Sequence, residues 1–286
     1  MDGDVLWLGL HKTGTTFLQK SLDLSAGELI RAGIAYVRLD EFRRRWTRPL
    51  LHDGHPDAPA PGALPEGMRR WLVFDENILA LVQHGLTRNG FYPKAGPRAR
   101  RIADHLGLRQ PMIVLGLRGF AGMVPSLYCE ALKSTPFKPF RSFLAQPPEA
   151  MSWLPLIAQL QAAFPASRVL LYCAEELAGR EARLLARVTG LRDQAFTLLS
   201  EPERVGFSHK AVMHLHDLSA HGPVARSDVR EATRRWPRGP EHPGFAPWSA
   251  EERKVLNAAY ARDLATLRYQ ASEPRAQLCL LDLASG

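Results

Sequence analysis

Short apolar runs and longer periodic segments alternate along most of the chain. Val5-Leu6-Trp7-Leu8-Gly9-Leu10 opens the series, followed by Gly33-Ile34-Ala35-Tyr36-Val37, Trp71-Leu72-Val73-Phe74, residues 111–117 and Val169-Leu170-Leu171-Tyr172. Continuous rather than alternating hydrophobicity is what a strand buried on both faces of a parallel sheet requires. Between these runs Phe17, Leu18, Leu22 and Leu24 recur at helical spacing, and residues 98–108, 119–133, 155–164 and 182–188 carry the same period. A last helix is predicted from about Ser249 to Leu267, where Ser249 and Glu252 have the spacing of a capping box. The alternation predicts an α/β fold, a P-loop-like parallel sheet flanked by helices.

Two stretches break the pattern. Residues 43–70 hold Pro49, Pro56, Pro59, Pro61 and Pro65 with His52, Asp53 and His55 among them, and residues 204–247 are rich in Arg, Pro and His. Both are expected to be long loop insertions in a single domain spanning 1–286, the first with the character of a lid over an acceptor site. The chain has no internal repeat and no coiled-coil seam.

Charge narrows the choice of ligand. Lys and Arg number 37 against 29 Asp and Glu, a formal net charge of +8, and a field of that sign favours anionic partners such as nucleotides. Cys129, Cys173 and Cys279 are too few and too scattered for a disulfide framework or a four-ligand zinc site. A reducing cytoplasm is therefore expected. Asp2 and Asp4 stand where a signal peptide would carry positive charge, and no run approaches the length of a membrane span.

The candidate chemistry begins where the first run ends. A strand, a Gly-containing turn and a helix make a phosphate site, because unsatisfied N–H groups converge at the helix start and its dipole adds positive potential. Gly9-Leu10-His11-Lys12-Thr13-Gly14-Thr15-Thr16 has the two glycines of a triphosphate loop, but Thr15 stands where that motif needs lysine. The lysine comes three residues earlier, at Lys12. That weakens a P-loop kinase or NTPase reading, in which a lysine after the glycine reaches the β- and γ-phosphates. Nor does the first strand lead into Gly-x-Gly-x-x-Gly, the mark of a dinucleotide site.

His11-Lys12-Thr13-Gly14-Thr15-Thr16, followed by Phe17-Leu18-Gln19, resembles the 5′-phosphosulfate loop of sulfotransferases that use 3′-phosphoadenosine-5′-phosphosulfate (PAPS), particularly bacterial ones. Many relatives carry proline at the place of His11. The resemblance extends to Leu117-Arg118-Gly119-Phe120 and Ser126-Leu127-Tyr128, and it implies that Arg118 and Ser126 bind the donor's 3′-phosphate. A guanidinium fork and a nearby hydroxyl suit that anion. The implied activity is transfer of a sulfuryl group to a hydroxyl or amine of a small molecule, glycan or lipid, leaving PAP and needing no metal.

In-line transfer also needs a group to take the acceptor proton. Asp75-Glu76-Asn77 resembles the strand-end segment that carries a glutamate in bacterial and heparan-modifying members, and the end of a parallel strand is where open α/β sheets bind ligands. Glu76 is the favoured base. Asp75, His52 and His55 are rivals, and Glu76 or Asp75 can instead serve as a capping acid. His11 is expected to pack or hydrogen-bond. A late basic-Gly motif in the family closes over the nucleotide, and its nearest equivalent here, residues 204–210, offers Arg204 and Lys210 as contacts. A nonenzymatic nucleic-acid-binding module, motivated by charge alone, is the remaining alternative.

Overall fold

The computed structural model describes residues 3–52, 62–200 and 206–283. Six parallel strands form the central sheet: β1 (Val5–Trp7), β2 (Ile34–Tyr36), β3 (Arg70–Phe74), β4 (Met112–Leu117), β5 (Val169–Cys173) and β6 (Leu278–Leu281). Their spatial order is β2-β3-β1-β4-β5-β6, with Leu6 in register with Val73 on one side and Ile113 on the other. Successive side chains leave opposite faces. Leu6 and Val73 accordingly enter one apolar layer, while Val5, Trp7, Leu72 and Phe74 enter the other, where Trp7 stacks on Phe74 with centroids 4.2 Å apart.

Helices cover both faces: α1 (Thr15–Leu24), α2 (Ala95–His105), α3 (Phe120–Ala131), α4 (Leu154–Ala163), α5 (Glu181–Thr189), α6 (His209–Ser219), α7 (Arg226–Arg235) and α8 (Ala250–Ser272). The α/β class and the parallel sheet agree with the periodicity. Boundaries differ for identifiable reasons. β1 stops at Trp7, although Leu8 and Leu10 are fully buried, because the backbone turns away at Gly9 (φ 52°) and Lys12 (φ 71°). α2 begins three residues early, since Pro97 in a first turn forfeits no helical hydrogen bond. The capping box at Ser249 closes with both bonds, Glu252 N–H to Ser249 Oγ at 3.1 Å and Ser249 N–H to Glu252 Oε2 at 2.8 Å.

The two expected insertions contain regular structure. Helical turns run through Leu39–Phe42, Arg43–Thr47 and Arg48–Leu51, the middle one a π-helix. Phe42, Trp46 and Leu50 recur every four residues and are all buried, so an apolar stripe outweighs the arginine run and Pro49. Residues 53–61, with His55, lie outside the described residues. In the second stretch, α6 and α7 bury Ala211, Val212, Leu215, Val229 and Ala232. β6 comes from Leu278-Cys279-Leu280-Leu281, which the periodicity does not assign.

One irregularity ties the late chain to the middle. Pro125 lies inside α3 and has no N–H to bond the carbonyl four residues earlier. That carbonyl, Ala121 O, accepts instead from the Trp248 indole at 3.0 Å.

Candidate functional site

Because β1 lies between β3 and β4, the loop after β1 emerges between Asp75-Glu76 on one side and Arg118 on the other. From β1 the chain passes to β2 at the edge and returns inward to β3, then crosses past β1 to β4 and moves outward to β5 and β6, so this is the crevice at a topological switch point. Among the described residues no helix is long and apolar enough to cross a membrane.

The loop is shaped by its own backbone. Thr13 is buried and its hydroxyl donates to Leu10 O at 2.7 Å, closing the turn. Gly14 takes φ 85° as the N-cap of α1, a left-handed conformation that costs other residues roughly 1 kcal/mol. No side chain caps α1, so its first N–H groups are open to an anion. Lys12 Nζ lies 3.2 Å from Glu130 Oε2, which also holds Lys133 Nζ at 2.9 Å. Burial works to raise the Glu130 carboxyl, but the two lysines overcome it and hold it at about 2.

Arg118 donates to Lys12 O at 2.7 Å, clamping the end of β4 to the loop. Among the described residues it forms no ion pair, and the Ser126 hydroxyl forms no hydrogen bond. Arg238 is likewise unpaired, and it lies near enough to Arg118 to repel it. Its guanidinium rests on bare backbone: a Cβ on Gly244 would sit 3.0 Å from Arg238 Nε, and one on Gly206 would sit 3.1 Å from its terminal nitrogen.

The end of β3 is more densely bonded. Asp75 is fully buried and accepts from Arg43 Nε at 2.9 Å, Thr47 Oγ1 at 2.7 Å and Asn77 N–H at 2.9 Å. It is the cap of the short turn Glu76–Ile78. Burial outweighs Arg43 and lifts the Asp75 carboxyl above the usual range. Glu76 has Arg43 at 3.1 Å from Oε1 and Gln19 Nε2 donating to Oε2 at 3.0 Å. Here burial is overcome by Arg43 and the other donors, and the carboxyl is held below the usual range. Glu76 is therefore ionised at neutral pH.

His11 is buried between two partners. A carboxamide oxygen only accepts, so Nε2–H donates to Asn77 Oδ1 (3.1 Å) and Nδ1 accepts from the Tyr92 hydroxyl (3.0 Å). Burial holds its pKa below the ordinary value. His52 Nε2 lies 3.1 Å from both Asn77 O and Arg98 and is not among the residues that line the cavities beside Glu76.

A cavity of about 250 Å³ is lined by His11, Lys12, Gly14, Thr15, Thr16, Glu76, Arg118, Ser126 and Arg238. Most of the expected site residues thus face one space. Thr13 lies beneath it. Lys210 is exposed, with its ammonium 5.7 Å above the Trp236 ring, and does not line it; Arg204 lies outside the described residues. A cavity of about 800 Å³ adjoins, sharing His11, Thr16, Glu76 and Glu130. A third, of about 660 Å³, opens on the other side of Lys12 and Gly14, walled by Phe17, Leu177, Asn257 and Tyr260.

Arg43, Glu130 and Arg238 were not foreseen. Glu130 follows Ser126 by four residues on α3, so the helical period puts both on one face and was sufficient to find it. Arg43 needed the helix through residues 39–51 to be seen. Nothing local marks Arg238. In comparisons with known proteins, no family model, no curated protein and no solved structure matches the chain.

Proposed function

We propose that the protein is a PAPS-dependent sulfotransferase, with a strand order compatible with a P-loop-like fold. The observation that carries this reading is a set of donors without an anionic partner on one cavity. Among the described residues Arg118 and Arg238 form no ion pair and Ser126 no hydrogen bond, and they face the open start of α1 and Lys12 across about 250 Å³. A ligand with an anionic group at each end answers both sets. The apolar wall of Phe17 and Leu177, with the polar Asn257 and Tyr260, offers a purine a flat surface and hydrogen-bonding edges.

In this reading Arg118, Ser126 and Arg238 bind the 3′-phosphate, and the α1 amides with Thr15 and Thr16 hold the 5′-phosphosulfate. Lys12 leaves Glu130 for the bridging oxygen, where its ammonium neutralises the charge that grows as the bond to sulfur breaks. Glu76, ionised and on the boundary of both cavities, accepts the acceptor's proton. His11 fixes Asn77, and Arg43 with Gln19 fixes the carboxylate.

Calorimetry with PAP tests the donor half: binding is expected, and its absence at millimolar concentration would sink the reading. Glu76→Gln should lower turnover by about 10²- to 10⁴-fold with PAP affinity unchanged. Normal turnover in that variant would remove Glu76 from the role of base. With the Glu76 carboxyl held below the usual range by Arg43, the wild-type rate should hold from neutral to mildly acid pH, falling only below the ordinary carboxylate pKa.

A further inference from the structure

Three non-glycine residues among the described ones hold a left-handed backbone, Lys12 (φ 71°), Tyr92 (φ 48°) and Arg275 (φ 66°). Such a conformation costs energy that only well-determined surroundings sustain, and it gathers at the working parts of a molecule. Lys12 and Tyr92 are far apart in sequence. One side chain, that of His11, joins them.

Tyr92 is held from several sides. It follows a two-stranded hairpin, Leu86–Thr87 against Gly90–Phe91, its N–H donates to Gly85 O at 3.1 Å, and its carbonyl accepts from Ala95 N–H at 3.0 Å. The ring is fully buried. Gly85 makes room for it, since a Cβ there would lie 3.3 Å from both Cε1 and the hydroxyl oxygen of Tyr92. Burial pushes the phenol pKa up, so the hydroxyl keeps its proton and donates it to His11 Nδ1 at 3.0 Å. With Nδ1 occupied as an acceptor, the imidazole proton is confined to Nε2, which donates to Asn77 Oδ1 at 3.1 Å. Asn77 adjoins Glu76, and its own N–H is held by Asp75 Oδ1 at 2.9 Å. His11 in turn adjoins Lys12, and it lines both cavities that Glu76 borders.

We propose that Tyr92 is a positioning residue for the transfer: by fixing the His11 tautomer it ties the phosphate loop to the Glu76 turn, so that a donor seated in the loop sets the placement of the base. The proposal rests on the sulfotransferase reading. Tyr92 lines none of the cavities around Lys12, so its effect passes through His11 and Asn77. An imidazole held at both nitrogens transmits a displacement of the loop, whereas one free to rotate or to change tautomer would absorb it. With water as the acceptor, an O–H bond breaks and its proton passes to Glu76, while the oxygen bonds to sulfur. The bond from sulfur to the bridging oxygen breaks, and its electron pair stays on the departing PAP.

Two measurements on the full chain test it. Nitrogen-15 NMR of the wild-type imidazole at neutral pH should place the His11 proton on Nε2, and in Tyr92→Phe, which keeps the ring and removes one hydrogen bond, both tautomers should appear. The second is hydrolysis of PAPS, with water as the acceptor. Tyr92→Phe should lower kcat by about tenfold and leave PAP affinity within about twofold. Asn77→Ala cuts the chain of bonds at its other end and should do the same, and the two together should lose no more than either alone. In a Glu76→Gln background Tyr92→Phe should have no further effect. A proton on His11 Nδ1 in the wild type, a wild-type kcat in both single variants, or a Tyr92→Phe loss that persists in full beside Glu76→Gln overturns the proposal. A wild type that neither binds PAP nor turns over PAPS would strike the sulfotransferase reading and this role with it, whereas PAP binding and turnover with fully additive losses would strike this role alone.

Discussion

The ends of β3 and β4 flank the same loop, yet they are finished in different ways. At β3 the acidic groups are enclosed: Asp75 has three donors and Glu76 has Arg43 and Gln19. At β4 the basic groups stand open, since Arg118 makes a single side-chain hydrogen bond, to Lys12 O, and Ser126 makes none among the described residues. The enclosed end is complete without a ligand and holds its geometry by internal bonds. The open end has donors with bonding capacity to spare. Stability should therefore reside mainly at β3 and affinity at β4.

The largest effect is expected at the enclosed end. Asp75→Ala leaves Arg43 partly buried without its main partner, and loss of one member of such a pair costs about 3 kcal/mol or more. Urea denaturation should show a lower midpoint at unchanged slope, and a loss below about 1 kcal/mol would undo the contrast. Next comes Arg118→Ala, which under the proposed function removes charge-assisted bonds to a phosphate and should weaken PAP by about 10- to 100-fold. Its unfolding free energy should fall by about 1 kcal/mol, the worth of the bond to Lys12 O and less than at Asp75; a drop as large as that of Asp75→Ala would mean that the open end is structural as well.

The smallest effect sharpens the boundary between the two. Glu130 is held at about 2, below the ordinary 4.5, by lysines that overcome its burial. A depressed folded-state pKa gives stability that is present above the unfolded value and lost as pH falls through the folded one. Glu130→Gln should then be less stable than wild type at neutral pH, with the two proteins converging between about 4.5 and 2. Parallel curves across that window would show that Lys12 and Glu130 are not coupled in solution.

How much of this could be read in advance depended on how local each feature is. The loop from His11 to Thr16 and the strand ends at Glu76 and Arg118 follow from continuous apolar runs that stop at polar residues. The sheet class follows from the same runs. Residues 39–51 were obscured because charge and proline dominate their composition, while the stripe of Phe42, Trp46 and Leu50 is sparse. β6 is four apolar residues beyond a long helix, too short for any period to separate strand from helix tail. Arg238 reaches the cavity through packing against Gly206 and Gly244, contacts between distant segments that no local pattern encodes.

The proline within α3 has a reach well beyond its own turn. By leaving Ala121 O without a helical donor, Pro125 creates a vacancy that Trp248 fills, and Trp248 directly precedes Ser249, the cap from which α8 starts. A missing bond in one helix thus serves as the address at which a later segment docks. Pro125, Phe245 and Arg238 all border the cavity of about 280 Å³ beside Ser126, so that docking also sets where the late chain meets the wall formed by Arg118 and Ser126. Restoring an ordinary N–H at position 125 would give α3 a more regular ladder and erase the address: the helix would improve while the enclosure around Arg238 loosened.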